Sequence, residues 1–404
     1  MLLRAKLRIL ADAAKYDASC ASSGGAKRDS RASKGIGSNE GMGICHSYTP
    51  DGRCVSLLKV LLTNQCLYDC AFCINRRSSN VTRAKFSVEE LAQLTVDFYK
   101  RNYIEGLFLS SGIVKSHDET MEEMTRVAKT LRERHLFAGY IHLKLIAGAS
   151  AELIADAGRY ADRVSVNLEL PREETLVALA PEKRGDVIRR SMAQVRLGID
   201  EASEAGAPAF APAGQSTQLI VGADGSDDRT ILAASRQLYS SYRLKRVFYS
   251  AFSPIPDASA RLPLQPAPLM REHRLYQADW MMRFYGFGAD EIVTGDDGLL
   301  DLAIDPKLAW ALAHRGTFPV DVNRADRAML LRVPGLGVKT IDKLMAARRQ
   351  RMLGLEDVAR LTRSLEKCRP FIVARDWRPA PSVTDDANLR AKLAPAPRQL
   401  DLFS

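Results

Sequence analysis

Three cysteines lie within eight residues of this 404-residue chain, as Cys66, Cys70 and Cys73. Clustered thiols in a reducing compartment indicate metal or redox chemistry, and an odd total of seven cysteines does not fit a complete disulfide framework. Three thiolates in a short loop can bind three irons of a cubane cluster and leave the fourth iron open to a ligand. A closed zinc site needs a fourth protein ligand, which Cys54 or Cys45 could supply, so the thiols alone leave both kinds of site open.

The three cysteines follow the first of six segments that have the length and the apolar, β-branched composition of strands. The predicted strands are Val55 to Leu62, Ile104 to Ser110, Tyr140 to Ala147, Arg163 to Glu169, Thr217 to Gly222 and Arg246 to Phe252. Helical patterns lie between them, at Val88 to Arg101, Glu119 to Arg134, Ser150 to Tyr160, Arg184 to Ala205 and Asp228 to Tyr242. Six strand–helix units in sequence imply a parallel sheet, and their number and length favour an α/β fold built on a partial (β/α)6 TIM-like barrel.

Polar side chains alternate with apolar ones along two of these strands. In the fourth strand, Ser165, Asn167 and Glu169 point away from the apolar face, and in the third strand His142 and Lys144 repeat the arrangement. A dry core would not accommodate these rows, because buried polar groups require partners. We therefore predict a polar, ligand-occupied barrel interior; the alternative is that these groups lie in water at a strand end.

The spacing Cys-x3-Cys-x2-Cys, with an aromatic residue at Phe72, resembles the radical S-adenosylmethionine (SAM) superfamily when it lies at the end of the first barrel strand. The resemblance covers roughly residues 50 to 255. It implies a [4Fe-4S] cluster on Cys66, Cys70 and Cys73, with the methionine amine and carboxylate of SAM on the remaining iron. It also implies reductive cleavage of SAM to a 5′-deoxyadenosyl radical that abstracts hydrogen from a substrate, with an electron donor such as flavodoxin or ferredoxin.

The same resemblance implies further cofactor contacts, although these positions match the family motifs more loosely. Phe72 would lie near the adenine of SAM. Ser110, Ser111 and Gly112 stand where the family often has a Gly-Gly-Glu run for the SAM amine, and the acidic residue is missing here. Two further groups complete the set: Ser165, Asn167 and Glu169 in the region that meets the ribose or methionine, and the adenine-backing run Ile220-Val221-Gly222.

Three other cysteines precede the first predicted strand, as Cys20, Cys45 and Cys54. The pair Cys45-x8-Cys54 is near enough in sequence to reach the mouth of the cluster site. It could form a second metal site, a redox pair or a substrate-contacting thiol, and ordinary reduced cysteines are the alternative. Cys368 is predicted to be a core residue of the C-terminal region.

A tight turn, Pro334-Gly335-Leu336-Gly337, separates two predicted helices near the C-terminus. The first helix is predicted to start at Asn323, with Asp326 placed as in a capping box, and to end at Arg332 or Val333. The second helix contains Ile341 and Leu344.

This segment resembles a helix-hairpin-helix motif, which binds the DNA backbone without reading sequence. The glycines leave backbone amides free to approach an anion, and Lys339 adds positive charge. The predicted DNA-binding residues are Pro334, Gly335, Leu336, Gly337, Lys339 and Thr340. Residues 321–404 carry 17 Lys and Arg against 10 Asp and Glu, so most of the net charge of +10 lies there. A purely structural helical hairpin is the alternative.

The last residues resemble the Gln-Leu-Asp/Ser-Leu-Phe peptide that docks bacterial replication and repair proteins on the β sliding clamp. The matching residues are Gln399, Leu400, Leu402 and Phe403, which end a Pro/Ala-rich tail. We predict clamp binding through these residues, and an inert tail is the alternative.

Composition and motifs together give a domain plan. With 46% apolar and 26% charged residues and no apolar run of bilayer length, the chain is predicted to be a cytoplasmic globular protein without a membrane partner. The predicted parts are an N-terminal extension with a Gly/Ser-rich loop (1–53), the radical SAM partial barrel (54–290), a helical connector (291–319), an all-α helix-hairpin-helix module (320–372) and a flexible tail (373–404).

A radical-generating barrel joined to a DNA-binding hairpin resembles the radical SAM proteins described as DNA modification or repair proteins, from about Leu7 through Phe371. Our hypothesis is hydrogen abstraction from a base, sugar or lesion of DNA while the hairpin binds the duplex. Two alternatives are an RNA-modifying enzyme, for example a methylthiolase with the same cluster, and a non-catalytic nucleic-acid-binding scaffold with a structural metal.

Overall fold

The computed structural model describes residues 1–14, 44–48, 54–380 and 388–394, and for residues 45–48 and 54 it describes the backbone alone. Seven strands form one sheet in sequence order. They are β1 (Ile44–Tyr48), β2 (Cys54–Leu61), β3 (Gly106–Ser110), β4 (Tyr140–Lys144), β5 (Arg163–Ser165), β6 (Gln215–Val221) and β7 (Arg246–Ala251). The strands from β2 to β7 are parallel and form a curled half-barrel, which confirms the predicted sheet of six parallel strands. The antiparallel edge strand β1 was not predicted.

One helix precedes this sheet, and the others follow its parallel strands. They are α1 (Leu3–Ala14), α2 (Val88–Lys100), α3 (His117–Lys129), α4 (Ala151–Tyr160), α5 (Glu173–Leu179), α6 (Gly185–Glu201) and α7 (Asp228–Tyr242). Their starts follow local chemistry: Ser87, Ser116 and Ser150 each cap a helix by accepting a hydrogen bond from a first-turn amide. The predicted helices of the barrel are therefore confirmed, with ends shifted by a few residues, whereas the short helix α5 was not predicted.

The sheet has one apolar face and one polar face. Leu58, Leu107 and Ile141 are in register on adjacent strands and are fully buried. One position further along, Lys59, Phe108 and His142 are in register on the opposite face. Because side chains alternate along a strand, the apolar set packs under the helices and the polar set fills the interior of the half-barrel.

The fourth predicted strand is shorter than expected. The strand β5 ends at Ser165, whereas the sequence predicts a strand as far as Glu169. The ladder is interrupted because the Leu168 amide donates to Thr217 Oγ1 at 3.0 Å and Glu169 adopts a positive φ of 70°. Glu169 still pairs with β6 through its own backbone amide and carbonyl.

The chain divides into two compact units, Met1–Ser226 with Gln237–Ala267 and Asp227–Arg236 with Pro268–Ser404. The boundary after Ala267 precedes the predicted one at residue 290. The helices assigned wholly to the second unit are α8 (Leu269–Trp280), α9 (Ala289–Ile292), α10 (Pro306–Ala313), α11 (Arg327–Arg332), α12 (Val338–Ala347), α13 (Leu355–Leu361), α14 (Leu365–Cys368) and α15 (Leu389–Leu393). In the part of the chain that the structure describes, no helix is both long enough and apolar enough to cross a bilayer.

The second unit is not purely helical. Two short parallel strands, β8 (Val320–Asp321) and β9 (Ile372–Val373), pair at the two ends of the predicted all-α module. The all-α prediction is wrong in this respect, because the pairing joins segments far apart in sequence and leaves no local pattern. Cys368 is fully buried, as predicted for a core residue.

Candidate functional site

The cysteines lie in the cysteine loop, residues 62–86, which follows β2 and precedes α2. Cys70 is buried, and Cys66 and Cys73 are partly exposed. Backbone hydrogen bonds connect the loop to its neighbours: the Leu67 amide donates to Ile113 O at 2.7 Å, and the Ala71 amide donates to Leu179 O at 2.6 Å. The loop is thus fixed to the segment that follows β3 and to the last residue of α5.

The two sides of the cysteine loop are joined by Arg83. Its guanidinium donates to the carbonyl oxygens of Asn64 and Asn75 through Nη1, at 2.5 and 2.9 Å. Through Nη2 it donates to those of Arg76 and Ser79, at 2.6 and 3.0 Å. Since Asn64 precedes the first cysteine and the other three residues follow the last, one side chain closes the loop around all three thiols.

All three cysteines line one cavity of about 280 Å³, the barrel cavity, at the ends of the parallel strands. Residues from the strands β3, β4 and β6 and from the segments after β2, β3 and β5 line it as well: Tyr68, Phe72, Asn75, Ser110, Ser111, Gly112, His117, Lys144, Asn167, Glu169, Glu182, Lys183 and Gln218. Ile220 also lines it. The carboxyl ends of parallel barrel strands are where ligand sites are expected.

The structure brings most of the predicted cofactor-binding residues to this cavity, and places two of them elsewhere. Ser165 lies deeper in the half-barrel, where its hydroxyl is 3.0 Å from His142 Nε2. Gly222 follows the end of β6 with a φ of 81° and does not line the cavity. Gly112 lies so close to the cysteine loop that a Cβ there would meet Gln65 O at 2.1 Å and Cys66 Cβ at 3.2 Å, so only glycine permits this approach.

An ion pair that sequence reasoning missed lies beside the cysteines. Lys183 Nζ is 2.6 Å from Glu169 Oε1, and the two side chains are 23% and 7% exposed. The ammonium also lies 6.0 Å from the centroid of Phe72. Burial alone lowers the pKa of Lys183, but the Glu169 carboxylate and Cys70 raise it above its usual value, so the lysine is a cation.

The polar interior predicted from the strand pattern is confirmed. Asn167 Nδ2 donates to Gln218 Oε1 at 3.1 Å, and both residues line the barrel cavity. Lys144 from the neighbouring strand β4 lines it too. Deeper in the barrel, the rings of Phe108 and His142 stack with centroids 4.2 Å apart. That a ligand occupies this interior stays a prediction.

Tyr68 and His117 are two further cavity residues that the sequence did not single out. The Tyr68 hydroxyl and His117 Nε2 are hydrogen-bonded. Burial raises the pKa of the tyrosine above its usual value, so it is a neutral donor at this rim. The position of Tyr68 between two cysteines is the one signal that could have indicated it.

Lys183 has no comparable signal in the sequence. This residue lies in the run Pro181-Glu182-Lys183-Arg184, which has the pattern of an ordinary solvated charge cluster.

The donor set fits an iron–sulfur cluster. Among the described residues, no three His, Cys, Asp or Glu side chains converge as one metal ion would require. A cubane does not require such convergence, because each thiolate binds a different iron. Burial raises the pKa of Cys70 to about 12, so the charge of a bound iron would be needed to keep this thiol deprotonated. Cys20 and the side chains of Cys45 and Cys54 lie outside the described residues.

In the second unit, a tight turn connects α11 to α12, and the two helices form a hairpin. Its first helix begins at Arg327 with Asp326 as the N-cap, not at Asn323 as predicted. Asn323 instead exchanges two side-chain hydrogen bonds with the Leu353 backbone, at 2.8 and 3.1 Å. Gly335 has a φ of 81°, and a Cβ there would lie 2.9 Å from Ser364 O, so the turn requires glycine.

The other predicted DNA-binding residues differ in accessibility. Pro334 and Leu336 are buried, and Lys339 is exposed on the first turn of α12 without an ion-pair partner among the described residues. Thr340 Oγ1 donates to Leu361 O at 3.4 Å, so its hydroxyl is engaged within the unit. Gln399, Leu400, Leu402 and Phe403 lie outside the described residues.

One family profile and several solved structures match part of this chain. Residues 60–238 match the profile of the radical SAM superfamily. A search of curated proteins found no match. Among solved structures, HydG, a maturase of the [FeFe]-hydrogenase, is 14% identical over 55% of this chain and 48% of that chain, with a TM-score of 0.42. HydG from Carboxydothermus hydrogenoformans is 13% identical over 55% of this chain and 50% of that chain, with a TM-score of 0.43.

Methylornithine synthase (PylB) is a third structural neighbour, 12% identical over 55% of this chain and 60% of that chain, with a TM-score of 0.45. The alignments thus span 48 to 60% of the solved chains. Members of the superfamily use a [4Fe-4S] cluster and SAM. The three cysteines and most of the residues that line the barrel cavity lie within residues 60–238, the segment that is similar to the radical SAM superfamily.

Proposed function

We propose that this chain reductively cleaves SAM and abstracts hydrogen from a nucleic-acid substrate, in a reaction that modifies or repairs DNA. One observation in particular supports the choice of DNA. The hairpin of α11 and α12 has a glycine turn with positive φ and an exposed cation, Lys339, on the first turn of its second helix. Turn amides and a nearby cation bind backbone phosphates irrespective of sequence.

The radical chemistry belongs to the barrel cavity. A [4Fe-4S] cluster bound there would supply the electron for reductive cleavage of SAM, and the cleaved SAM would abstract the hydrogen atom from the substrate. Cys66, Cys70 and Cys73 would hold the three ligated irons.

The remaining cavity residues have binding and positioning roles. Asn167 and Gln218 present amide groups that already pair with each other, so they are fixed donors and acceptors for a polar ligand. Lys183 is a nearby cation and Phe72 provides an apolar ring face. On the side of the sheet, the cavity is lined by buried side chains such as Ser110, Asn167 and Gln218, which limit the access of water from that side.

The decisive experiment is anaerobic turnover of the reconstituted protein with a strong reductant, SAM and DNA deuterated in its sugars and bases. We expect deuterium in the 5′-deoxyadenosine product. The same assay with deuterated structured RNA is the matched comparison. Deuterium transfer from RNA but not from DNA would contradict the DNA proposal and favour an RNA-modifying enzyme.

Cysteine variants separate the enzyme from a scaffold. Cys66→Ala, Cys70→Ala and Cys73→Ala should each abolish 5′-deoxyadenosine formation, with Cys368→Ala as the control thiol outside the site. A reconstituted wild-type protein without a brown chromophore, or without 5′-deoxyadenosine from SAM, would favour the non-catalytic scaffold.

A further inference from the structure

A second cavity of about 400 Å³ lies within the second unit, next to the hairpin turn, and we name it the hairpin cavity. Its walls come from α8 and the turn after it, from the start of α10, from the hairpin turn and from α14 with the residue before it. The lining residues on which the inference depends are Arg274, Trp280, Tyr285, Asp305, Lys307 and Lys367. Three of these six are cations and one is an acid.

Lys307 is a buried basic side chain that has no ion-pair partner among the described residues. The residue is 6% exposed, its Nζ donates to Leu336 O at 2.5 Å, and it lies 4.6 Å from the centroid of Tyr285. In the described part of the chain, no carboxylate lies within ion-pair distance of this ammonium. The Asp305 carboxylate of the same helix pairs with Lys367 at 2.8 Å and caps the helix at the Leu308 amide. An ammonium buried in this way costs several kcal/mol unless an anion joins it.

Arg274 is the second buried cation of the hairpin cavity. The residue is 7% exposed, and its Nη1 and Nη2 donate to Gln277 Oε1 and Leu302 O at 2.8 and 3.0 Å. Its Nε is buried and has no hydrogen-bond partner among the described residues. A buried donor without a partner is rare in folded proteins and indicates a missing ligand or water.

The cavity also offers aromatic surface. Trp280 is 48% exposed, and Tyr285 lies between Lys307 and the turn, where its hydroxyl is 3.6 Å from the position of a Cβ on Gly337. Aromatic faces stack on nucleobases irrespective of base identity. A volume of about 400 Å³ is within the range of small-ligand pockets.

We propose that the hairpin cavity binds the terminal phosphate of a nucleotide, with Lys307 and Arg274 as the phosphate ligands. A phosphomonoester is a dianion, and it would give Lys307 and Arg274 the direct ion-pair partner that neither has among the described residues. An internal phosphodiester is flanked by the strand on both sides, so it cannot reach cations that are less than a tenth exposed. The source is a 5′-phosphorylated DNA end or a free nucleoside monophosphate, and the first of these rests on the proposed function.

The test compares 5′-phosphorylated and 5′-hydroxyl DNA of one sequence, labelled at the 3′ end, for binding to the full-length reconstituted protein by fluorescence anisotropy. We expect the phosphate to tighten binding about tenfold, since one charged hydrogen bond contributes at least about 1.5 kcal/mol. Thymidine monophosphate and inorganic phosphate should compete, and Lys307→Met and Arg274→Gln should remove the preference. Lys339→Gln is the matched control: it should weaken binding to both ends equally and keep the preference.

The wild-type comparison needs no variant, so the proposal can fail even if a variant does not fold. Equal affinity for the two DNA ends, together with no binding of thymidine monophosphate, overturns it. If the protein binds thymidine monophosphate in a Lys307-dependent way but does not bind DNA, the result supports phosphate binding in the hairpin cavity and contradicts the proposed function. If the protein binds DNA with no preference for the 5′-phosphate and no competition by the monophosphate, the result supports the proposed function and overturns the proposal that the hairpin cavity binds a terminal phosphate.

Discussion

Glu169 adopts a left-handed backbone at the edge of the barrel cavity, where it pairs with Lys183 beside the cysteines. A positive φ at a residue with a side chain costs of order 1–3 kcal/mol and persists when surrounding contacts enforce it. Here the enforcing contacts are the backbone bonds to Gln218 O and from the Ile220 amide. These backbone bonds direct the carboxylate at the lysine. The ion pair is therefore fixed in the cavity wall by the backbone.

This pairing leads to a prediction about stability. Lys183→Met should destabilise the protein by about 3–5 kcal/mol, because it removes the ammonium that neutralises the buried Glu169 carboxylate. The double variant Lys183→Met with Glu169→Gln should recover most of this loss. Urea unfolding of samples with equal iron content measures the free energy of unfolding of the single and the double variant. If the single and double variants lose the same free energy, the two side chains do not act as a pair.

At the scale of elements, the cysteine loop is closed by side chains outside the cysteine motif. Asn64 accepts a hydrogen bond from the Ala84 amide and donates to Thr82 O, which joins the two ends of the loop a second time beside Arg83. A loop closed in this way loses little further entropy when three irons bind its thiols.

Arg83→Gln should therefore weaken cluster retention. The variant loses the fork of four hydrogen bonds to carbonyl oxygens, and two such charged bonds contribute about 3 kcal/mol. We expect iron loss to a chelator to become at least about tenfold faster. Arg77→Gln, in the same loop and exposed, is the matched control. Equal rates of iron loss in the two variants would show that Arg83 does not hold the loop.

Sequence patterns predicted the elements well where local signals define them. The order of β2 to β7 and the helices between them follow from strand-length apolar runs, helical periodicity and serine caps such as Ser87. The patterns did not predict features that depend on contacts between residues far apart in the sequence. Lys183 is 14 residues from Glu169, Arg83 contacts carbonyls on both sides of the cysteines, and β8 pairs with β9 across the whole module. None of these contacts has a local signature.

The buried Lys307 of α10 leads to a prediction about how stability depends on pH. Burial lowers the pKa of Lys307 to about 7 from its usual value of 10.5, while Asp305 and Cys368 partly oppose this shift. Arg274, Lys367 and Tyr285 are the other titratable groups that line its cavity. Between pH 7 and 10.5 the unfolded chain holds a proton at this site that the folded chain lacks, so this group makes stability rise with pH.

We expect the difference in unfolding free energy between wild type and Lys307→Met to grow by up to about 1.4 kcal/mol per pH unit in that window, and to be flat below it. Urea unfolding at a series of pH values measures the slope. Lys339→Met, at an exposed lysine, should show no such slope relative to wild type. A flat difference for Lys307→Met would mean that the lysine is charged in the folded protein above neutral pH.

Across the whole molecule, positive charge is concentrated in residues 321–404, which carry 17 basic against 10 acidic residues. Several of these basic side chains make hydrogen bonds or ion pairs within the second unit. Arg348 donates to Val322 O and Ala325 O, and Arg351 pairs with Asp357. Lys339 and Lys343 of α12 are both exposed, and neither has an ion-pair partner among the described residues. The charge available to a polyanion is thus smaller than the net charge indicates, and part of it lies on α12.

If the chain binds DNA as proposed, this distribution predicts how its affinity for DNA depends on salt. Each phosphate neutralised by a cation contributes about −0.9 to the slope of log K against log salt concentration, because one counterion is released. Lys339→Gln should therefore weaken binding to all DNA sequences alike and make the slope shallower by about 1. Lys100→Gln removes the same charge from the exposed end of α2 and should leave the slope unchanged. If both variants shift the slope equally, the binding follows net charge and the hairpin has no special role; if only Lys339→Gln does, the hairpin is the DNA contact.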